Sequence, residues 1–206
     1  MGTTILVYVI RYMNGINSCL NKISNIPVLL ALGMLFVVFI VYFLPRMKAD
    51  TGVYSRDAGS VGLSFFPLPD RVYEMAEAYG EEGRRAYIRA WLTVDLLWPL
   101  VYSGFFLVCI HRLLGYAHGV RGSRLCAAAL VPLALDWIEN ILAVIIMANY
   151  PVRMDALAWG MAVATCLKWT AMGAVCCLFA YGLVALPVCF VCRRMVSRRT
   201  GCDHRL

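Results

Sequence analysis

The sequence predicts an all-α membrane protein with four transmembrane helices and an amphipathic helical cap in the first outer loop. Of the 206 residues, 62% are hydrophobic and 15% are charged, which is far from the composition of a soluble domain. Four apolar stretches are long enough to cross a bilayer, for which about 20 residues suffice. The basic residues collect at those ends of the stretches that would share one side of the membrane.

The amino-terminal residues 1–22 are predicted to form a cytoplasmic or interfacial segment. Their apolar patch, residues 5–10, is too short to span a bilayer. No small-residue cleavage site follows it, so we expect no removable targeting peptide. The first span is predicted at 23–45, where no residue is charged.

Residues 46–90 form the one sizeable polar segment, which we expect to be an extracytoplasmic cap. Its seven basic and seven acidic side chains balance. Pro69 and Asp70 are typical of a helix start and Gly80 of a helix end. The predicted amphipathic helix, 70–79, lies on the membrane surface or covers the bundle. Its apolar stripe consists of Val72, Met75, Ala76 and Tyr79.

The second span, 90–110, is predicted to continue a helix that begins near Glu81 and Glu82. Polar and aromatic side chains recur along it at three- and four-residue steps, which places them on one face. Pro99 removes the backbone hydrogen bond to the Asp95 carbonyl, so we expect a kink there. The face comprises Arg84, Tyr87, Trp91, Asp95, Trp98 and Tyr102.

The rest of the chain is predicted to divide into five segments. They are a basic cytoplasmic loop at 111–124, the third span at 125–148, an outer turn at 149–155, the fourth span at 156–180 and an interfacial, Cys-rich and basic cytoplasmic tail at 181–206. Pro187 is a plausible break between the last span and the tail.

The distribution of charge predicts the topology and the environment. Basic residues are in excess at the amino-terminal end, in the 111–124 loop and in the tail, so both termini are expected to be cytoplasmic. The formal net charge of +7 is then topogenic, and we expect contact with membrane lipids and no binding of nucleic acid. The predicted location is the bacterial cytoplasmic (plasma) membrane.

The nine cysteines are absent from the predicted outer segments, so we expect reduced thiols. Cys189 and Cys192 have CxxC spacing, but no second CxxC and no strand–helix redox context accompany them. We expect these two cysteines to be apolar packing residues or sites of S-acylation, rather than metal ligands. We therefore predict no metal and no cofactor.

Two carboxylates interrupt the third span. Asp136, Glu139 and Asn140 lie at i, i+3 and i+4, so a helix places all three on one face. A lipid-facing carboxylate costs about 2.5–3.5 kcal/mol, so this face is expected to point at protein, water or a ligand. Lys168 in the fourth span is expected at a similar depth and to pair with Asp136 or Glu139. The predicted ligand or ion pocket comprises Asp95, Tyr102, Asp136, Glu139, Asn140 and Lys168.

Three acids against one base leave about two carboxylates in surplus, and such a surplus must be protonated, hydrated or matched by a bound cation. The leading hypothesis is a binding or transport-related module for a proton, cation or polar headgroup, as an accessory subunit or a homo-oligomer. One alternative is a lipid-modifying enzyme with a carboxylate acid–base, in which Arg84, Arg85 and Tyr87 contact the headgroup. The other is a purely structural subunit whose buried network fixes helix register. No catalytic residue is assigned.

Four short sequence patterns are similar to those of a family of membrane proteins. They are Gly80-x-x-Gly83-Arg84-x-x-Tyr87, Asp95-x-x-x-Pro99-x-x-Tyr102, Asp136-x-x-Glu139-Asn140 and Lys168-Trp169. Over roughly residues 70–185 the chain resembles a family of small bacterial four-span membrane proteins for which no activity is known. The resemblance implies a four-helix membrane fold with these polar positions as its signature, and it implies no catalytic role.

Overall fold

The computed structural model describes residues 20–22, 24–46 and 65–200, and in these ranges the chain is helical without a strand. Four candidate spans are long and apolar enough to cross a membrane: Ile26–Arg46, Pro69–Val120, Arg124–Asn149 and Asp155–Cys192. This confirms the predicted all-helical membrane protein with four such helices. The α-helices are α1 (Ile26–Val38), α2 (Pro69–Ala90), α3 (Leu96–Ser123), α4 (Leu130–Asn149) and α5 (Asp155–Thr200).

Helix α1 is apolar on all sides and packs against α3. The Asn25 side chain begins the helix by accepting a hydrogen bond from the Val28 backbone N–H at 2.9 Å, which satisfies one of the free donors of the first turn. The Phe36 ring stacks on Phe105 of α3, with 4.8 Å between ring centroids. It also lies 5.5 Å from the Trp98 ring. Aromatic packing therefore joins the first span to the rest of the bundle.

Helix α2 bends at Gly80, the residue that the sequence marks as a helix end. Gly80 has φ 63° and ψ −177°, a region that is essentially restricted to glycine. The bend separates the amphipathic helix, residues 69–79, from the segment 81–90 that leads into the second span. The apolar stripe of the amphipathic helix is buried against α4 and α5, in a cluster with Ala143, Ile146, Met147, Ala158 and Met161.

Ion pairs fasten the beginning of the amphipathic helix to the α4–α5 turn. Arg153 donates to Asp70 at 2.6 Å and to Asp155 at 3.1 Å. Its guanidinium lies over the Tyr73 ring, 4.9 Å from the centroid. The Tyr73 hydroxyl accepts a hydrogen bond from the Met154 backbone N–H. The hydrogen bond to Asp70, followed by that to Asp155, raises the pKa of Arg153 above its ordinary value, because both acceptors favour the charged guanidinium.

A π-helical turn, Trp91–Asp95, separates α2 from α3 and ends four residues before Pro99. The Leu96 N–H donates to the Trp91 carbonyl, five residues earlier. The indole N–H of Trp137 on α4 donates to the Leu96 carbonyl at 3.3 Å. The expected irregularity beside Pro99 therefore takes the form of a π turn, with a side chain from α4 bonding to the backbone next to it.

Two segments differ from the sequence-based expectation. The predicted 111–124 loop is helical through Ser123, with a bend at Gly119 (φ 65°, ψ −151°) and a short 3-10 turn, Arg124–Ala129, leading into α4. Leu114 is fully buried there, and burial of such side chains stabilises the helix beyond the expected span. Helix α5 also continues through Pro187 without a break, as membrane helices tolerate a proline that removes one backbone donor.

Helices α3 and α5 approach closely at Gly182. A Cβ atom added to Gly182 would lie 2.9 Å from the Cβ of Leu113, which is closer than a van der Waals contact allows. Small residues permit this kind of backbone approach in membrane bundles. Leu114, which also lies next to Gly182, belongs to a second buried cluster. The cluster consists of Leu20, Tyr102, Phe106, Ile110, Leu114, Cys126, Ala129 and Val175.

Candidate functional site

Lys168 on α5 contacts both carboxylates of α4. Its ammonium nitrogen lies 3.2 Å from Asp136 Oδ1 and 2.6 Å from Glu139 Oε2. The side chains are 11% exposed for Lys168, 10% for Asp136 and 2% for Glu139, so the charges interact in a medium of low dielectric. We call these three residues the Lys168 cluster. Their helices form the most extensive packing contact of the bundle.

Asp136 is the best-satisfied member of the Lys168 cluster. The Tyr102 hydroxyl of α3 donates to Asp136 Oδ2 at 3.1 Å, and the Asn140 amide donates to Oδ1 at 3.2 Å. With Lys168, three donors from three helices converge on one carboxylate, which stabilises the buried negative charge. Trp98 contacts the Tyr102 ring edge-on at 5.4 Å and helps to hold the phenol in place.

Glu139 is less well satisfied. The Lys168 ammonium is at ion-pair distance from Oε2, but this buried oxygen receives no well-directed hydrogen bond from the described residues. The hydroxyl of Thr165 lies near this carboxylate, yet it donates to the Met161 carbonyl at 2.9 Å. A hydroxyl has one proton to donate, so Glu139 keeps unused acceptor capacity.

Asp95 lies apart from these contacts, at the end of the π turn. Its side chain is partly exposed, and it makes neither a hydrogen bond nor an ion pair with any residue of the described ranges. It is nevertheless close enough to interact electrostatically with Asp136 and Lys168. Of the six pocket residues predicted from the sequence, five are therefore in a contact network, and Asp95 is the unpaired sixth.

The predicted headgroup residues occupy separate places. Arg84 donates to the Ala76 carbonyl at 2.9 Å and lies 4.5 Å over the Tyr150 ring. Arg85 is exposed and pairs with Glu81 at 2.5 Å. Tyr87, by contrast, is buried and interacts electrostatically with Asp95, Glu139 and Asp136, so it belongs with the acidic residues and not with the two arginines.

Trp91 is the residue that sequence reasoning did not assign to the site. Its indole nitrogen is buried and has no acceptor within the described part of the chain. The sequence signal was present, because Trp91 lies four residues after Tyr87 and four before Asp95.

Within the ranges that the structure describes, no group of three or more His, Cys, Asp and Glu side chains is arranged to hold a metal ion. The seven described cysteines, among them Cys189 and Cys192, are free thiols. The amino-terminal residues 1–19 and the segment 47–64, which belong to the predicted interfacial segment and cap, lie outside the described residues.

Comparisons of the chain with protein-family models, curated proteins and solved structures gave no match.

Proposed function

We propose that this chain is an integral membrane binding protein that takes up a positive charge at Asp95, beside the Lys168 cluster. The positive charge is a proton, a small cation or the cationic group of a lipid headgroup. One observation carries the proposal: Asp95 has no partner among the described residues, while Lys168 is already shared between two other carboxylates.

The charge count supports this function. If Asp95, Asp136 and Glu139 are all ionised, three negative charges face the single positive charge of Lys168, which leaves a surplus of two. Carboxylates within a membrane are costly unless they are paired, hydrated or protonated, and they commonly mark ion pathways or ligand sites. The hydrogen-bond donors around Asp136 stabilise the negative charge of that carboxylate. No donor among the described residues bonds to Asp95.

The setting that we propose is the bacterial cytoplasmic membrane, with both termini cytoplasmic and Asp95 in the outer half. The basic residues at the amino-terminal end, near 111–124 and in the tail support this orientation. Four helices are few for a lone transporter, which favours an accessory subunit or a homo-oligomer. The resemblance to small bacterial four-span proteins, carried by the polar patterns, agrees with such a module.

A stability measurement in lipid nanodiscs tests the proposal. A bound cation or proton stabilises the folded state by mass action, so the unfolding temperature of the wild-type protein should depend on pH and on added cations. Asp95→Asn should remove most of this dependence. Glu77→Gln, which removes an exposed carboxylate of α2, is the matched control and should behave like the wild type. Equal responses of the wild type and Asp95→Asn would refute the proposal.

A lipid-modifying enzyme has less support from the geometry. That function would need Arg84 or Arg85 to hold an anionic headgroup near Glu139 or Asp136. Arg84 instead bonds to the Ala76 carbonyl, and Arg85 pairs with Glu81. Lipid extracts from cells with and without the protein would decide, since an unchanged lipid profile counts against an enzyme.

A purely structural role explains the Lys168 cluster and leaves Asp95 unexplained. A shared buried cation can fix the register of α4 and α5. Asp95 makes no hydrogen bond or ion pair with a described residue, so a purely structural role does not explain why a charged residue occupies this position.

A further inference from the structure

The face of the second span that leads to Asp95 carries a row of polar atoms without partners. Tyr87, Trp91 and Asp95 follow one another at four-residue steps, in the last turn of α2 and the π turn. Tyr87 is 8% exposed, and its hydroxyl makes no hydrogen bond with a described residue. The Trp91 indole nitrogen is buried without an acceptor.

This row lies near the Lys168 cluster. Tyr87 interacts electrostatically with Asp95, Glu139 and Asp136, so the row is within electrostatic range of the three acids. Native proteins satisfy nearly all of their buried polar atoms, so the Trp91 indole nitrogen, which lies between Tyr87 and Asp95 in the sequence and is buried without an acceptor among the described residues, calls for a specific explanation. A ligand that bonds to this nitrogen provides one.

The chemistry of the row defines such a ligand. Asp95 requires a positively charged donor, and the Trp91 indole N–H requires an acceptor, which an oxygen close to that positive charge would supply. The rings of Tyr87 and Trp91 also favour a cation over their faces. An ammonium group with an oxygen a few bonds away meets these requirements, as in an ethanolamine headgroup.

The surroundings of the row are apolar and open. Leu92, Leu96 and Leu97, which flank Asp95 in sequence, are 56%, 36% and 49% exposed. Because this helix is apolar enough to span a membrane, such a surface faces acyl chains. A ligand that approaches Asp95 from this side therefore gains from an apolar chain of its own.

We propose that the face formed by Tyr87, Trp91 and Asp95 binds an amine-bearing lipid, with the ammonium on Asp95, a headgroup oxygen on the Trp91 N–H and the acyl chain along Leu92, Leu96 and Leu97. This rests on the proposed function, which it deepens by naming the class of cation. The same ammonium chemistry could come from a soluble amine, and the test separates the two sources.

The test measures binding of lysophosphatidylethanolamine to the full chain in a non-ionic detergent. Lysophosphatidylglycerol with the same acyl chain keeps the phosphate and lacks the ammonium, and free ethanolamine keeps the ammonium and lacks the chain. The wild type should bind lysophosphatidylethanolamine at least about tenfold more tightly than either comparison compound, as one well-made charged contact is worth roughly that factor.

Two variants assign the contacts. Asp95→Asn should abolish the preference for the ammonium compound. Trp91→Phe keeps a ring and removes the N–H, so it should weaken lysophosphatidylethanolamine binding by about 3- to 10-fold, the value of one neutral hydrogen bond. Trp159→Phe, at an exposed position of α5, is the matched control and should change nothing. If Asp95→Asn does not fold, the contrast between Trp91→Phe and Trp159→Phe decides.

The outcomes separate this inference from the proposed function. If the wild type binds the two lysolipids equally well, the proposal that the site recognises the ammonium group of a lipid is wrong. If it binds free ethanolamine as tightly as lysophosphatidylethanolamine, the proposal that the acyl chain contributes to binding is wrong. If Asp95→Asn still removes a pH or cation response of stability in either case, the proposed function stands alone. If Asp95→Asn matches the wild type in both experiments, both proposals fail.

Discussion

Lys168 approaches Glu139 Oε2 to 2.6 Å and Asp136 Oδ1 to 3.2 Å, so a single ammonium serves two buried carboxylates. The arrangement joins α4 and α5 at the level of the polar site. Lys168 does not pair with Asp95, because both of its ion pairs are with carboxylates of α4. The proposed function follows from this difference: the charges of the Lys168 cluster are paired with one another, and Asp95 is unpaired.

Replacement of Lys168 by methionine should destabilise the fold strongly. Asp136 and Glu139 would be left as a buried pair of acids without a cation, and breaking a buried ion pair costs about 3–5 kcal/mol. The free energy of unfolding of Lys168→Met, measured in bicelles, checks this value.

A triple variant provides the control. Lys168→Met combined with Asp136→Asn and Glu139→Gln removes all three charges, so it should recover most of the lost stability, as neutral replacements of buried ion pairs often do. By the same reasoning, Asp136→Asn with Glu139→Gln alone leaves Lys168 unpaired and should be unstable. A triple variant as unstable as Lys168→Met would show that the charges do not act as one cluster.

Tyr102→Phe should lower the free energy of unfolding by about 1.5–3 kcal/mol. The hydroxyl donates to the carboxylate of Asp136 at 3.1 Å, and hydrogen bonds to charged groups lie in this range. The same substitution in an Asp136→Asn background should cost less, and the difference between the two measures the coupling of the pair. A coupling of zero would mean that the bond adds nothing to stability.

Gly80→Ala should destabilise the protein by about 1–3 kcal/mol, because a side chain is strained at φ 63° and ψ −177°. Gly173→Ala is the matched control. Gly173 lies inside α5, and a Cβ added there meets nothing within 4 Å, so alanine should be neutral or stabilising by about 0.5–1 kcal/mol. Thermal unfolding of both variants gives the comparison, and equal effects would contradict the bend at Gly80.

Arg153→Gln should loosen the start of the amphipathic helix, since Arg153 joins Asp70 to Asp155. The hydrogen bonds to Asp70 and Asp155 raise the pKa of Arg153 above its ordinary value, so its contribution to stability is complete up to that ordinary value and is lost only as the pH rises through the raised pKa. Hydrogen exchange of residues 69–79 should therefore be faster in the variant at every pH from neutral to about 11. The difference should shrink in high salt, because the pairs are exposed. Unchanged exchange at low salt would argue against the bridge.

Much of the fold could be predicted from the sequence because hydropathy and helical period act locally. The four spans, the bend at Gly80 and the shared face of Asp136, Glu139 and Asn140 follow from such patterns. The effect of a proline depends on its surroundings, and for this reason Pro187 leaves α5 continuous while the helix beside Pro99 contains a π turn.

The candidate site was only partly predictable. The positions of the spans predict that Lys168 lies at a similar depth in the membrane to Asp136 and Glu139. The sequence does not specify how neighbouring helices are rotated about their axes. That rotation decides that Lys168 contacts both acids and leaves Asp95 unpaired. It also buries the Trp91 indole nitrogen without an acceptor among the described residues. The four-residue spacing puts Trp91 on the same face as Asp95 but does not predict this burial.

The central claim is that Asp95 takes up a positive charge that the chain itself does not supply. Potentiometric titration in nanodiscs counts the protons bound at neutral pH, and equilibrium dialysis at the same pH counts bound sodium or lysophosphatidylethanolamine. The account predicts that the wild type and Glu77→Gln bind about one more positive charge, in total, than Asp95→Asn, as the removed carboxylate carried it. Equal totals for the wild type and Asp95→Asn would contradict the claim.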